Sequence, residues 1–222
     1  MLLKVKSLNK TFEIDHKKTA ILNDLSFSLD FNEISSIYGA SGSGKSTLLN
    51  IISGLMSSDA GSVIFDGKLM NHNFDFIQFR KRDLGVVFQE DYLLMEFTAI
   101  ENIMLPHIIA GNSRKKSYKK SHDLLDKFDL LNIKNAYPNT LSGGEKQRVS
   151  ILRAIINNPK LILADEPTGS IDEFNKEKIF SLFQSIVKEF HSSILIATHD
   201  NNVSKISNKI LNLSKGKIKQ IK

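Results

Sequence analysis

The sequence predicts an α/β fold with a parallel core sheet, an N-terminal antiparallel β subdomain and a helical subdomain. Three short apolar runs, at residues 34–38, 161–164 and 194–197, have the length and composition of buried parallel strands. Polar residues follow each run directly, and the carboxyl ends of parallel strands meet at one edge of a sheet. We therefore expect the polar residues after these runs to lie close together.

The alternation and spacing of apolar residues predict the remaining strands and helices. Leu25, Phe27 and Leu29 alternate with serines, which indicates a half-buried strand, and we expect it to form the antiparallel sheet with residues 3–7 and 62–65. The +3, +4, +3 spacing of large apolar residues between 180 and 190 predicts an amphipathic helix. A helix-rich region is expected from about residue 98 to 158.

The length of 222 residues is enough for one domain with a sizeable core. We expect a single domain over residues 1–222, with the helical subdomain at about 90–158. The chain has no cysteine, which excludes disulfides and thiolate metal sites and suits a reducing cytoplasm. We expect no signal peptide and no membrane-spanning helix, because no apolar run approaches the roughly 20 residues that a bilayer requires.

The net charge of +6 comes from 30 Lys and Arg against 24 Asp and Glu. Only five of the 30 cations are arginine, whereas proteins that read base sequence favour arginine, so we expect no nucleic-acid partner. The densest basic run, Arg114–Lys120, is expected to be a solvated helix start. The charge is compatible with a mild attraction to anionic lipid.

Residues 39–47 match the phosphate-loop pattern G-x-x-x-x-G-K-[ST] and predict a nucleoside triphosphate site. Glycine permits positive φ and a close approach of backbone N–H groups to phosphate. Lys45 can bind the β- and γ-phosphates, and the Ser46 hydroxyl can bind Mg²⁺. A helix expected at 46–52 points its positive end at the phosphates. The loop consists of Gly39, Ala40, Ser41, Gly42, Ser43, Gly44, Lys45, Ser46 and Thr47.

Two carboxylates, Asp165 and Glu166, end the apolar run at 161–164. In a phosphate-loop protein, an aspartate at this position holds Mg²⁺, usually through the water shell of the ion. A glutamate one residue beyond can polarise the water that attacks the γ-phosphate. The sequence therefore predicts a metal-binding role for Asp165 and a catalytic role for Glu166.

A helix is expected to begin at the sequence Ser142-Gly143-Gly144-Glu145. Ser142 and Glu145 have the spacing of a capping box, which is a purely structural feature. A cap does not require two glycines, however, and Ser-Gly-Gly at a helix start exposes backbone N–H groups that can bind an anion. Both interpretations are open at this point.

The order of these motifs resembles that of the nucleotide-binding subunits of ABC transporters over nearly the full chain. The order is the phosphate loop, Gln89 after a strand at 84–88, LSGGE, LILADE, GSID at 169–172 and His199. In that family, LSGGE of one subunit closes over the ATP that the other subunit holds. The resemblance therefore implies a two-fold homodimer that encloses two ATP molecules with Mg²⁺.

The resemblance also implies roles for single residues. Phe12 resembles the aromatic residue that stacks on adenine, although tyrosine is more usual there. Gln89 resembles the residue that contacts Mg²⁺ or water and senses the membrane partner. Asp172 resembles the aspartate of the dimer-contact loop, and His199 the γ-phosphate sensor. The partner's γ-phosphate would be bound by Ser142, Gly143 and Gly144.

Within the family, the chain is most similar to the lipoprotein-releasing LolD and MacB-type ATPases, on FTAIENI, LSGGEKQRV and NNPKLILADEPTG. The chain departs from the usual sequence of these ATPases at Ser170-Ile171 and at Leu152. The resemblance implies an ATPase on the cytoplasmic face of the inner membrane that drives separate membrane-spanning subunits in lipoprotein release or export. An FtsE-like cell-division role, with ATP as a switch, is the alternative. ABC proteins of translation or DNA repair need two cassettes or a long insertion, and nucleotide kinases lack LSGGE.

The segment from Gln89 to Pro106 is the expected dock for a coupling helix of the membrane subunit. It follows Gln89 directly, and its apolar and acidic residues have the composition of a groove for an amphipathic helix. The alternative is that its apolar residues form the core of the helical subdomain. These residues are Tyr92, Leu93, Leu94, Met95 and Phe97, beside Glu90, Asp91 and Glu96.

Overall fold

The computed structural model describes residues 1–14, 17–169 and 171–222; Ser170 of the GSID motif lies outside the described residues. The strands are β1 (Leu3–Ile14), β2 (Lys17–Leu29), β3 (Ile34–Tyr38), β4 (Ala60–Phe65), β5 (Lys68–Leu69), β6 (Leu84–Val87), β7 (Leu161–Asp165), β8 (Ser193–Thr198), β9 (Lys209–Ser214) and β10 (Lys217–Gln220). The helices are α1 (Lys45–Ile52), α2 (Phe76–Gln78), α3 (Ala99–Ile109), α4 (Arg114–Lys127), α5 (Gly143–Ile155) and α6 (Glu173–Phe190).

The core sheet has the strand order β10-β9-β3-β8-β7-β6. Strands β9, β3, β8, β7 and β6 run parallel, and β10 is an antiparallel edge strand. The three apolar runs are its neighbouring central strands β3, β8 and β7, as predicted. Their carboxyl ends therefore lie side by side at one edge of the sheet.

The antiparallel sheet has the order β2-β1-β4-β5, which confirms the predicted N-terminal subdomain. Leu3 pairs with Leu29 of β2 on one side and with Phe65 of β4 on the other. Strands β1 and β2 are longer than the sequence pattern indicated. The extra length of β1 and β2 brings Phe12 and Ile21 close to the carboxyl ends of the core strands.

The core sheet is buried on both faces, which explains why its strands are continuous apolar runs rather than alternating ones. Ile34, Ile162 and Ile194 pack into a core with α3, α5 and α6. Alternate residues such as Leu163 and Leu195 pack into a second core with α1 and the antiparallel sheet. The two faces thus fix the register of each strand, because a shift of one residue would exchange the faces.

Helices α3, α4 and α5 occupy the region where helices were predicted, and α6 is the predicted amphipathic helix. The basic run Arg114–Lys120 forms the start of α4, as expected, with its first three cations exposed. Strand β6 ends at Val87, one residue earlier than predicted, so Gln89 lies in the following loop. In the described ranges, no helix combines the length and apolar character needed to cross a membrane.

Candidate functional site

A cleft of about 710 Å³ lies at the carboxyl edge of the core sheet. It brings together residues from both sheets and from the loop before α1, and polar residues that follow β3, β7 and β8 meet in it. Ala40 lies in an adjoining groove, whereas the Ser142–Gly144 segment and Asp172 do not line the cleft. The lining residues are Phe12, Ile21, Ser41, Gly42, Ser43, Gly44, Lys45, Ser46, Thr47, Gln89, Asp165, Glu166 and His199.

The conformation of the phosphate loop depends on two glycines that no other residue can replace without strain. Gly44 has φ 102°, and a Cβ there would lie 2.8 Å from Ile21 Cγ2. A Cβ on Gly39 would lie 2.4 Å from Ser43 Oγ and 2.6 Å from the Leu213 carbonyl oxygen. Glycine therefore lets the loop pack closely against β2 and β9, which places its N–H groups at the start of α1.

Lys45 is the first residue of α1, and its side chain is only 7% exposed. Its Nζ donates to the carbonyl oxygens of Gly39 at 2.7 Å and Ala40 at 3.3 Å. The same atom lies 3.3 Å from Glu166 Oε1. A buried ammonium group is thus directed into the cleft between the loop backbone and the carboxylate.

Glu166 accepts hydrogen bonds on both carboxylate oxygens. Oε1 lies 3.0 Å from His199 Nδ1, and Oε2 accepts from Thr198 Oγ1 at 2.9 Å and from the His199 N–H at 3.2 Å. Burial raises the pKa of Glu166, but the hydrogen bonds from His199 and Thr198, together with the Lys45 charge, bring it below its ordinary value. Glu166 is therefore ionised at neutral pH and able to accept a proton.

Asp165 ends β7, and its Oδ1 is buried with no hydrogen-bond partner among the residues that the structure describes. Burial raises the pKa of Asp165, an effect that the Ser46 hydroxyl and Lys45 partly offset. An unpartnered carboxylate oxygen beside a hydroxyl is a suitable oxygen pair for Mg²⁺. The described residues contain no group of three or more metal-binding side chains, so this ion would depend largely on phosphate and water oxygens.

Gln89 and Phe12 lie at the cleft on different elements. Gln89 is exposed in the loop after β6, and its Nε2 would be 3.4 Å from a Cβ added to Gly169. Phe12 is half-buried on β1, with Lys10 Nζ 5.5 Å from its ring centroid. Both side chains thus line the cleft, and their roles stay predictions.

The Ser142 motif forms the predicted capping box at the start of α5. Ser142 Oγ donates to Glu145 Oε2 at 2.7 Å, and the Ser142 N–H donates to the same oxygen at 2.9 Å. A Cβ on Gly143 would lie 3.9 Å from Ile171 Cδ1, which is ordinary van der Waals contact. Packing explains the glycine at position 144, because a Cβ there would lie 2.6 Å from Asn175. Anion binding by this exposed helix start stays a prediction.

Asp172 caps α6 by accepting from the Asn175 N–H at 3.0 Å and from Asn175 Nδ2 at 2.7 Å. These hydrogen bonds lower the pKa of Asp172. Because Asn175 also packs on Gly144, the starts of α5 and α6 lie side by side. They form one exposed surface outside the cleft, and the predicted dimer contact of Asp172 belongs to that surface.

Two residues of the site were not predicted. Thr198, the last residue of β8, orients Glu166, and its position directly before His199 at a strand end was an available signal. Ile21 lines the cleft from β2, which pairs with β1 far from the motifs in sequence. Nothing in the local sequence around Ile21 indicates this position.

Proteins of one known family resemble this chain in sequence. The sequence matches the family described as ABC transporter over residues 22–169. The lipoprotein-releasing system ATP-binding protein LolD of Treponema denticola is 43% identical, over 98% of this chain and 97% of the relative. The LolD protein of Porphyromonas gingivalis is 39% identical, over 97% and 98%.

A solved structure has the same fold over its whole length. The ATP-binding cassette MJ0796, in a dimeric post-hydrolysis state bound to ADP and Pi, superposes with a TM-score of 0.89. It is 34% identical and covers 100% of this chain and 99% of its own. On the match of family, sequence and fold, the chain belongs to the ABC transporter family.

Proposed function

We propose that the chain is the ATP-binding and ATP-hydrolysing subunit of a lipoprotein-releasing ABC transporter of the LolD type. The Lys45–Glu166 contact is the main support for this proposal, because it places a phosphate-binding cation and an ionised general base in one cleft. The named activity of the full-length LolD relatives supports the cargo class. No observation favours the FtsE-like alternative.

ATP binds with its phosphates on the loop N–H groups and the Lys45 ammonium, while Phe12 stacks on the adenine. Ser46 and Asp165 would hold Mg²⁺, with Gln89 beside them, and the ion would neutralise charge on the β- and γ-phosphate oxygens. Burial of Asp165 Oδ1 without a protein partner supports this assignment.

Glu166 accepts a proton from water as the water oxygen attacks the γ-phosphorus and the bond to the ADP oxygen breaks. Thr198 and the His199 N–H fix one carboxylate oxygen, which leaves the other directed towards Lys45 and the cleft. The His199 side chain is 71% exposed and can turn towards the γ-phosphate. Thr198 and His199 thus orient the base, and His199 also senses the phosphate.

We assign Ser142, Gly143 and Gly144 to the ATP of a second copy, because the exposed start of α5 does not line the cleft of its own chain. Asp172 lies beside it in the same surface. The dimeric state of MJ0796 supports a sandwich in which each site takes its phosphate loop from one copy and its Ser142 surface from the other.

Mixing two inactive variants tests this sandwich. Ser142→Arg and Lys45→Ala should each be nearly inactive alone, but a mixed dimer has one site with both lesions and one intact site. We expect ATPase activity to recover partly on mixing, measured as phosphate release after subunit exchange. Mixing Lys45→Ala with Glu166→Gln is the matched control, because each chain then carries a lesion in its own cleft. Both sites of the mixed dimer are damaged, and the intact Ser142 surfaces cannot restore either one.

Absence of recovery in demonstrated Ser142→Arg/Lys45→Ala mixed dimers contradicts the shared site, provided that wild-type/Lys45→Ala mixed dimers retain activity. That second mixture shows whether one intact site is sufficient for turnover. The two measurements therefore separate a wrong assignment of Ser142 from a strict requirement for two working sites.

We place the chain peripherally on the cytoplasmic face of the inner membrane, docked on membrane-spanning subunits by the segment after Gln89. Tyr92, Leu94 and Met95 are 61%, 41% and 55% exposed, as a docking surface requires. Leu93 is only 5% exposed and packs in the core of the helical region. For Leu93, the alternative interpretation as a core residue of the helical subdomain therefore holds.

Leu94→Glu and Met95→Glu should abolish co-purification with the membrane subunits from detergent-solubilised membranes, because a carboxylate in an apolar contact loses its hydration. Both variants should still bind ATP, since neither residue lines the cleft. Leu69→Glu is the matched control, with a leucine on β5 that is 49% exposed. Unchanged co-purification of both folded docking variants would show that the dock lies elsewhere.

A further inference from the structure

Two side chains of α5 anchor the loop after β6 by its backbone. Gln147, 3% exposed, donates from Nε2 to the Phe88 carbonyl oxygen at 3.0 Å. Arg153 donates from Nη2 to the Asp91 carbonyl oxygen and from Nη1 to the Tyr92 carbonyl oxygen, each at 2.6 Å. The two anchors are therefore about 9 Å apart along one helix, at 1.5 Å rise per residue.

Gln89 lies between these two anchors. One anchor holds the residue before it, and the other holds the second and third residues after it. The loop also contains Tyr92 at φ 45°, a left-handed conformation that a tyrosine rarely adopts without support. The path of the loop, and with it the position of Gln89 at the cleft, thus depends on α5.

Arg153 makes specific hydrogen bonds to the loop and does not merely fill space beside it. A guanidinium group has a rigid planar fork, and both of its short hydrogen bonds go to backbone carbonyl oxygens. Burial of this cation lowers the pKa of Arg153, so an apolar side chain would fill the space at lower cost in free energy. The residue is suited to fixing a backbone segment.

The same segment is tied to α3 further along, at the exposed docking surface. Asn102 is fully buried and accepts from the Leu94 N–H at 2.8 Å. Its Nδ2 donates to the carbonyl oxygens of Leu94, Phe97 and Thr98 at 3.1, 3.0 and 3.1 Å. The segment after β6 is thus hydrogen-bonded through its backbone to side chains of both α3 and α5.

We propose that Arg153 and Gln147 are positioning residues that set Gln89 at the nucleotide cleft and join its movement to that of α5. This inference rests on the proposed function, in which Gln89 contacts Mg²⁺ or water. Because Ser142 caps the start of α5, the anchors connect three places: the docking surface, the cleft of one chain and the surface that faces the second copy's ATP. Neither Arg153 nor Gln147 lines the cleft.

A double-substitution cycle on ATP turnover tests the proposal. Arg153→Lys keeps the charge but removes the two-pronged contact, and Gln147→Met keeps the volume but removes the donor. We expect each to lower kcat about 10-fold through misplacement of Gln89, with an unchanged Kd for ATP. In a Gln89→Ala background, the same substitutions should change kcat by less than about twofold, because their effect acts through Gln89. Arg114→Lys on exposed α4 is the matched control.

The result that overturns the inference is an impaired Gln89→Ala enzyme in which Arg153→Lys and Gln147→Met still lower kcat by their full factors. An unimpaired Gln89→Ala enzyme instead overturns the role of Gln89 in the proposed function, and the inference with it. The melting temperature of each variant shows whether it is folded. If Arg153→Lys does not fold, Gln147→Met completes the cycle alone.

Discussion

Replacing Glu166 by glutamine should lower phosphate release by roughly 10²–10⁴-fold, the loss typical of removing a general base. The amide keeps the size of the side chain and can still pair with Thr198 and the His199 N–H, which contact Oε2 in the structure. It cannot accept a proton from water as the carboxylate does. ATP should therefore bind and remain bound, as measured by filter binding beside a phosphate-release assay.

Glu189→Gln is the matched control for this prediction, because Glu189 is an exposed glutamate at the far end of α6, away from the cleft and from the surface at the start of that helix. That variant should release phosphate at the wild-type rate. Near-normal turnover by Glu166→Gln would refute the assignment of Glu166 as the base. The Lys45–Glu166 contact would then have a purely structural role.

Replacing Lys45 by alanine should abolish tight ATP binding. The ammonium is 7% exposed and directed into the cleft, where it can make charge-assisted hydrogen bonds to phosphate. Each such bond contributes about 1.5–3 kcal/mol, so each one lost weakens binding by roughly 10- to 150-fold. Titration with a fluorescent ATP analogue measures the change in Kd.

Lys68→Ala, at an exposed lysine on β5, is the matched control and should bind the analogue like the wild type. Lys45 also forms hydrogen bonds to Gly39 and Ala40 carbonyl oxygens, so a melting curve must accompany the titration. A folded Lys45→Ala protein with wild-type affinity would rule out the phosphate-loop assignment. The nucleotide would then bind elsewhere on the molecule.

Much of the cleft could be predicted because its chemistry is concentrated in short motifs at strand ends. Asp165 and Glu166 follow an apolar run directly, and His199 follows another. Once the runs are neighbours in a parallel sheet, their ends meet without further information. The pairing of β3, β8 and β7 is thus the step that turns separate motifs into one site.

Contacts between distant elements could not be predicted from the sequence. Ile21 reaches the cleft only because β2 pairs with β1 far beyond the alternating segment. Arg153 and Gln147 look like ordinary polar residues of an amphipathic helix, and their partners are backbone carbonyl oxygens, which leave no trace in residue type. The burial of Leu93 between exposed neighbours depends in the same way on tertiary packing.

The central claim is that two copies of this chain enclose ATP between the phosphate loop of one and the Ser142 surface of the other. Light scattering of the Glu166→Gln protein during gel filtration with Mg²⁺ and ATP tests it most directly, since hydrolysis cannot open the dimer. We expect a particle of twice the 25.0 kDa chain mass with one ATP per chain, and the monomer mass when Ser142→Arg is introduced into the same chain. A Glu166→Gln protein that is saturated with ATP and still monomeric would contradict a site shared between two copies.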